Sequence, residues 1–165
     1  MSYTAAVITV SDKGYNGLRE DTGGPLVAQM LKNAGYEVVH TAIVPDEIPA
    51  IQQAIRTCAE KDIALCLTTG GTGFSPRDVT PEATAGVCDR LAPAIGQAML
   101  FYGLQKTPRA MLSRAQAGIL ERTLVVNLPG SPRAIRENLE PVLPALEHGL
   151  EMLREQGRDC AADQR

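Results

Sequence analysis

Three aspartates stand where a chain can do phosphate chemistry. Asp12, Asp46 and Asp78 stand in the short strings "VSD", "PDE" and "PRD", each just past an apolar run or a loop. Carboxylates gathered at one sheet edge could hold magnesium, which takes one or two carboxylates and completes its shell with phosphate oxygens and water. Singly, each has a plainer use. Asp46 fits a cap on a helix beginning at Glu47, and Asp78 fits a solvated turn residue. The stretch "TTGGTGFSPRD" (68–78) adds three glycines directly behind the apolar "IALCL". Glycines let backbone amides approach a phosphate without side-chain bulk. This is not a Walker A loop, because no Lys-Ser or Lys-Thr follows. It also lacks the third glycine of the dinucleotide fingerprint. A second junction, "NLPGSPRAIREN", offers either the free amides of a helix start or an ordinary cap by Ser131.

These residues need a frame. Residues 4–12 read as a buried strand and 12–24 as a polar, Gly-rich loop. A helix is expected from Thr22, with Pro25 in its first turn and Gly35 as its stop. A strand over 36–44 follows, then a helix over 45–61 with Ile48, Ile51, Ile55 and Ala59 on one face. Residues 62–69 form a third strand. This β-α-β-α-β order implies a mostly parallel sheet with right-handed crossovers. Ligands bind such sheets beyond the strands' carboxyl ends, so Ser11, Asp12, Asp46 and the glycine loop should face one crevice. Beyond it, helices are expected over 80–91, with Thr80 as N-cap, and over 93–106. Two short strands are expected within 110–120, a turn near 120–122, and a buried strand over 123–128. Ser131 should cap the last helix, Pro141 and Pro144 should split or kink it, and residues 157–165 should fray.

Composition narrows the function. The 165 residues suffice for a single domain spanning 1–165. Net charge is −3 with no basic block, which argues against nucleic acid as a partner. No apolar run approaches the roughly 20 residues that span a bilayer, and no signal peptide is legible at the start. A cytoplasmic chain is expected. Cys58, Cys66, Cys88 and Cys160 form no CxxC pair and read as reduced packing residues, Cys160 exposed near the tail. His40 and His148 have no zinc-ligand spacing.

The longer strings carry a resemblance. "TTGGTGFSPRDVTPEAT" and "TPRAMLSRAQAGI…RTLVVNLPGSP", with "VITVSD" and "IVPDE", resemble the molybdenum-cofactor biosynthesis family of MogA, MoaB and the gephyrin G domain. The likeness runs from about Ala6 to Leu153. It implies an α/β fold, a three-layer α/β/α domain on a mostly parallel sheet, usually a homotrimer. It also implies adenylylation of molybdopterin: the pterin phosphate attacks the α-phosphate of ATP, and pyrophosphate leaves. By resemblance Asp46 and Asp78 are catalytic and magnesium-binding, and Ser11 and Asp12 lie near the substrate. Gly70, Gly71, Thr72 and Gly73 surround the ligand phosphates. Thr107, Ser113 and Arg114 lie at the pterin pocket, and Gly130, Ser131 and Pro132 on the nucleotide side. A downstream molybdenum-insertion protein is a further implied partner.

One position departs from the pattern. Family members often read Ser-Leu where this chain has Gly103-Leu104, and that serine faces the pterin phosphate. A backbone amide, Thr107 or Lys106 is left to replace it, and Gly103→Ser is expected to be tolerated. Two other readings remain within the family, a pterin carrier without turnover and an oligomeric scaffold. The presence of both "PDE" and "PRD" favours the enzyme.

Overall fold

Apolar, β-branched runs become strands, and the stretches between them coil into helices. The computed structural model describes residues 2–154. In chain order the elements are β1 (Thr4–Val10), α1 (Asp12–Tyr15), α2 (Gly23–Asn33), β2 (Glu37–Val44), α3 (Ile48–Glu60), β3 (Leu65–Thr69) and α4 (Thr80–Val87). They continue with β4 (Arg90–Leu91), α5 (Pro93–Leu104), a 3-10 turn (Pro108–Leu112), β5 (Ala117–Leu120), β6 (Thr123–Leu128), α6 (Pro132–Leu139) and α7 (Leu143–Arg154).

The strands form one sheet in the order β2-β1-β3-β6-β5-β4. The first four are parallel, and β5 and β4 add an antiparallel edge. Successive side chains of a strand point to opposite faces, so β1 feeds two cores. Ala5 and Val7 pack with Val27, Leu31, Met99, Ile135, Leu139 and Leu146 of α2, α5, α6 and α7. Ala6, Ile8 and Val10 pack with Ile51, Ile55, Cys58, Ala83 and Val87 of α3 and α4. This is the three-layer α/β/α arrangement. Full burial of one such Ile or Leu contributes about 1.5–3 kcal/mol, so β1, β3 and β6 are held firmly from both sides. Strand β2 is an edge whose residues alternate between exposed and half-buried. Its carboxyl end, which carries Asp46, needs another anchor.

The structure departs from the sequence reading at several joints. Thr22 stands at the N-cap of α2 but makes no side-chain cap; Asp21 Oδ1 accepts the Gly24 amide instead, at 2.9 Å. Thr80 is inside α4 rather than capping it. Its buried hydroxyl donates to the Gly70 carbonyl at 3.0 Å, a tertiary bond that outcompetes a cap. The helix expected over 80–91 ends at Val87, and Arg90–Leu91 pairs with β5. Within 110–120, before the 120–122 turn, the structure has one short strand, β5, where two were expected. Ahead of it Thr107 and Pro108 start the 3-10 turn, whose amide at Arg109 donates to Thr107 Oγ1. Glu121 takes the turn's positive φ of 53°. The expected split near Pro141 and Pro144 separates α6 from α7. The fraying expected over 157–165, and Cys160 with it, lies outside the described residues.

Candidate active site

The sheet reverses direction of growth at β1, with β2 on one side and β3 on the other. At such a switch point the loops diverge and leave a crevice. A cavity of about 480 Å³ opens there. Ser11 follows β1 into it, Asp46 follows β2, and Gly70, Gly71 and Asp78 follow β3. Gly130, Ser131 and Pro132 arrive from β6.

Two glycines at the mouth have no substitute. Gly70 holds φ +102°, and a Cβ there would lie 2.3 Å from the Val10 carbonyl oxygen. Gly71 holds φ +67°, and a Cβ there would lie 2.4 Å from Thr80 Oγ1 and 3.1 Å from Asp46 Oδ1. The Gly70 amide is spent on the Leu128 carbonyl at 3.0 Å, and the Gly73 amide on Asp78 Oδ2 at 3.0 Å. Among the described residues, the amides of Gly71 and Thr72 have no protein acceptor. Gly71 lines this cavity and Thr72 a neighbouring one, and both are donors that the loop can offer a ligand there.

Asp12 and Asp46 hold each other. The Asp12 amide donates to Asp46 Oδ2 at 2.7 Å, and the Asp46 amide donates to Asp12 Oδ1 at 2.9 Å. This exchange anchors the end of the edge strand β2 to that of β1. It also removes the helix-cap reading of Asp46, because the α3 cap position is Glu47, which makes no side-chain cap. Asp12 is not in the cavity wall. Arg77 clasps its carboxylate with Nε and Nη2 at 2.9 and 3.0 Å. That hydrogen bond, helped by the Asp46 amide, holds the Asp12 carboxyl below its ordinary range. Burial raises the Asp46 carboxyl above its ordinary value, and the neighbouring charges of Asp12 and Asp78 add to the rise against the Asp12 amide and Arg77.

Asp78 is both a turn residue and a cavity residue. Its Oδ2 accepts the amides of Gly73 and Ser75 at 3.0 and 3.2 Å. Asp46 and Asp78 therefore each commit one carboxylate oxygen to backbone amides. The other oxygen takes no hydrogen bond among the described residues. Two open carboxylate oxygens suit a magnesium ion that takes its remaining ligands from phosphate and water. The described residues include no group of three or more side chains able to cage a metal alone.

A second cavity, of about 510 Å³, lies beyond the glycine loop. Thr72, Gly73, Thr107 and Ser113 line it, and Ser131 lines both cavities. Charge separates the two. Glu20, Asp21, Asp46 and Asp78 face a single cation, Arg19, in the first. Lys106, Arg109 and Arg133 face a single carboxylate, Glu137, in the second. Arg114 lines neither and is bonded to the glycine loop instead. Sequence reasoning missed Arg19, Glu20 and Asp21, because a polar loop after a strand looks like a plain connection.

Gly103 lines the second cavity, and here the structure overturns an expectation. A Cβ at 103 would meet the Cβ of Ala110 at 2.9 Å. Ala110 has no rotamer with which to yield, so serine pushes α5 from the 3-10 turn. We expect Gly103→Ser to lower stability by about 1–3 kcal/mol, and Gly103→Ser with Ala110→Gly to recover most of that loss. Urea unfolding of the two variants checks this; an unshifted midpoint for the single variant refutes the clash.

Comparison with known proteins decides the family. The family model "Probable molybdopterin binding domain" matches residues 6–148. The chain belongs to this family. Over 150 residues it is 39% identical to a molybdopterin adenylyltransferase of Helicobacter pylori, covering 89% of this chain and 85% of that one. It is 43% identical over 161 residues to gephyrin of Dictyostelium discoideum, covering 92% of this chain but only 22% of that longer protein. Among solved structures, the molybdopterin biosynthesis enzyme MoaB of Thermus thermophilus superimposes with a TM-score of 0.87 at 46% identity, covering 92% of this chain and 96% of that one. The α/β/α layers of the molybdopterin-binding domain are thus those described above. Among the described residues no helix is long and apolar enough to cross a membrane.

Proposed function

We propose that this protein is a molybdopterin adenylyltransferase that works in the cytoplasm as a homotrimer. The observation that carries the reading is the pairing of an acidic cavity, with two open carboxylate oxygens, and a basic cavity across one shared wall. The similarity to the Helicobacter adenylyltransferase over most of both chains supports it.

Charge assigns the substrates. A triphosphate entering the first cavity meets four carboxylates, and repulsion at close range is too large to leave unbalanced. Asp46 and Asp78 are the residues that would hold magnesium there. When bound, the ion neutralises phosphate charge and aligns the attacking and leaving oxygens. The second cavity, with three cations, suits the phosphate monoester of molybdopterin without a metal. The shared wall brings the two phosphates together. An oxygen of the pterin phosphate forms a bond to the α-phosphorus of ATP, and the bond to the β-phosphate oxygen breaks to release pyrophosphate.

The chain's own groups position and screen. The free amides of Gly71 and Thr72 donate to phosphate oxygens on the two sides of the wall. Thr80 holds the Gly70 carbonyl, which fixes the direction of the loop. No side-chain nucleophile is required, so positioning and electrostatics carry the rate. The adenylylated pterin then passes to a molybdenum-insertion protein.

The test is pyrophosphate release from magnesium-ATP with purified molybdopterin. Release should match the pterin consumed; ATP turnover without pterin, or binding without release, defeats the reading. The trimer is a separate expectation. Exposed Phe101, Tyr102, Leu104, Met111 and Leu112 cluster along α5 and the 3-10 turn, as a covered face would. Light scattering at micromolar concentration should return three times the chain mass, and a monomer mass removes this part.

A further inference from the structure

The segment from Thr72 to Asp78 is held by polar contacts more than by packing. Phe74, Ser75, Pro76 and Arg77 are all exposed, so no core packing sets its shape. Its geometry depends on hydrogen bonds: Arg77 ties its middle to Asp12, the Asp78 amide donates to the Ser75 carbonyl, and one residue, Arg114, holds both ends. The Arg114 amide donates to the Thr72 carbonyl at 2.9 Å. Its Nε donates to the Gly73 carbonyl at 2.8 Å, and its Nη2 to the Asp78 carbonyl at 2.7 Å. Nη1 meets the carboxylate of Glu82, which orients the guanidinium from α4. Between those ends, Asp78 Oδ2 closes the loop on the amides of Gly73 and Ser75.

We propose that Arg114 is a positioning residue for Asp78: it clamps both ends of this loop and so sets where the open carboxylate oxygen points, without touching either substrate. The role needs arginine. Its planar fork reaches two carbonyls and a carboxylate at once, whereas a lysine ammonium is a point donor on a flexible stem. The position of a carboxylate matters for rate because displacement of a reacting group by about an ångström costs up to on the order of a hundredfold. The proposal rests on the adenylyl-transfer reading for its kinetic consequence, but its structural half stands apart from it.

The experiment uses the full chain with Arg114→Lys and Glu82→Gln. The first readout is amide hydrogen exchange without ligands. In Arg114→Lys the amides of Gly73 and Ser75 should exchange at least about tenfold faster, the scale of one weakened hydrogen bond. Amides of β1 and β3 should exchange as in the parent. The second readout is kinetic. kcat for adenylyl transfer should fall on the order of tenfold to a hundredfold. KM for molybdopterin should stay within about twofold, since no ground-state contact is lost. Glu82→Gln keeps both carbonyl contacts and should move the same readouts in the same direction by less.

Unchanged exchange at Gly73 and Ser75 overturns the proposal. So does a raised KM for molybdopterin at constant kcat, which marks a direct substrate contact. If Arg114→Lys does not fold, Glu82→Gln decides by the same two readouts. If the parent shows no adenylyl transfer, the functional reading fails while the exchange result still decides the role of Arg114.

Discussion

Asp78→Asn should leave the protein folded and lower adenylyl transfer by at least about a hundredfold, a loss of roughly 3 kcal/mol of transition-state stabilisation. The expectation follows from how the carboxylate divides its oxygens. One oxygen accepts the amides of Gly73 and Ser75. Asparagine keeps a carbonyl oxygen for that task, so the turn and the thermal midpoint should survive. The other oxygen becomes an amide nitrogen, which cannot ligate a cation. Asp46→Asn should behave alike, because its carbonyl can still accept the Asp12 amide. The double variant should cost less than the two single losses combined, since both act on one ion. If Asp78 were only a turn residue and Asp46 only an anchor for β2, the variants would lose modest stability and retain turnover. Adenylate formation and thermal midpoints for the three variants distinguish the cases, and intact turnover with a lowered midpoint defeats the metal-site reading.

Gly70→Ala should be the most destabilising small substitution at the site, at about 3 kcal/mol or more. Two costs add there: a φ of +102° that alanine rarely adopts, and a Cβ 2.3 Å from the Val10 carbonyl oxygen, which belongs to the central strand and cannot move aside. Gly35 separates the two costs. It holds φ +89° with nothing within 4 Å of a Cβ, so Gly35→Ala should cost only the conformational part, about 1 kcal/mol. Urea midpoints for the pair check this. Equal losses would show that the contact with β1 contributes nothing.

The frame was legible where burial is two-sided. Strands β1, β3 and β6 are continuous apolar runs because α-helices cover both faces of the sheet, and the amphipathic face of α3 follows from Ile51, Ile55 and Ala59. The crevice was legible for the same reason, since the order of elements puts the ends of those strands together. What escaped was short or tertiary. β4 has two exposed residues, too few for any period, and α1 is one turn long. Thr80 looked like a cap because its hydroxyl partner, the Gly70 carbonyl, is ten positions away at the far end of the same loop. Arg114 showed its type but not its address. Its partners lie at Gly73, Asp78 and Glu82, and no spacing rule connects them. Gly103 looked like a lost hydroxyl, whereas its value is the room it leaves for Ala110.

The first cavity takes its walls from the ends of four strands, and this sets an order of assembly. β1 can pair with β2 and β3 once the crossover helices α2 and α3 have formed, because those segments are near neighbours in the chain. The wall that carries Gly130 and Ser131 arrives only when β6 docks on β3, pairing Leu65 with Leu124 and closing a chain loop that holds α4, β4, α5 and β5. Closing that loop carries an entropic cost before any contact repays it, so it comes late. During synthesis Asp46 therefore takes its place on an open half-sheet, and Asp78 once Arg114 has emerged, before the crevice can retain a nucleotide. Binding competence waits for the docking of β6.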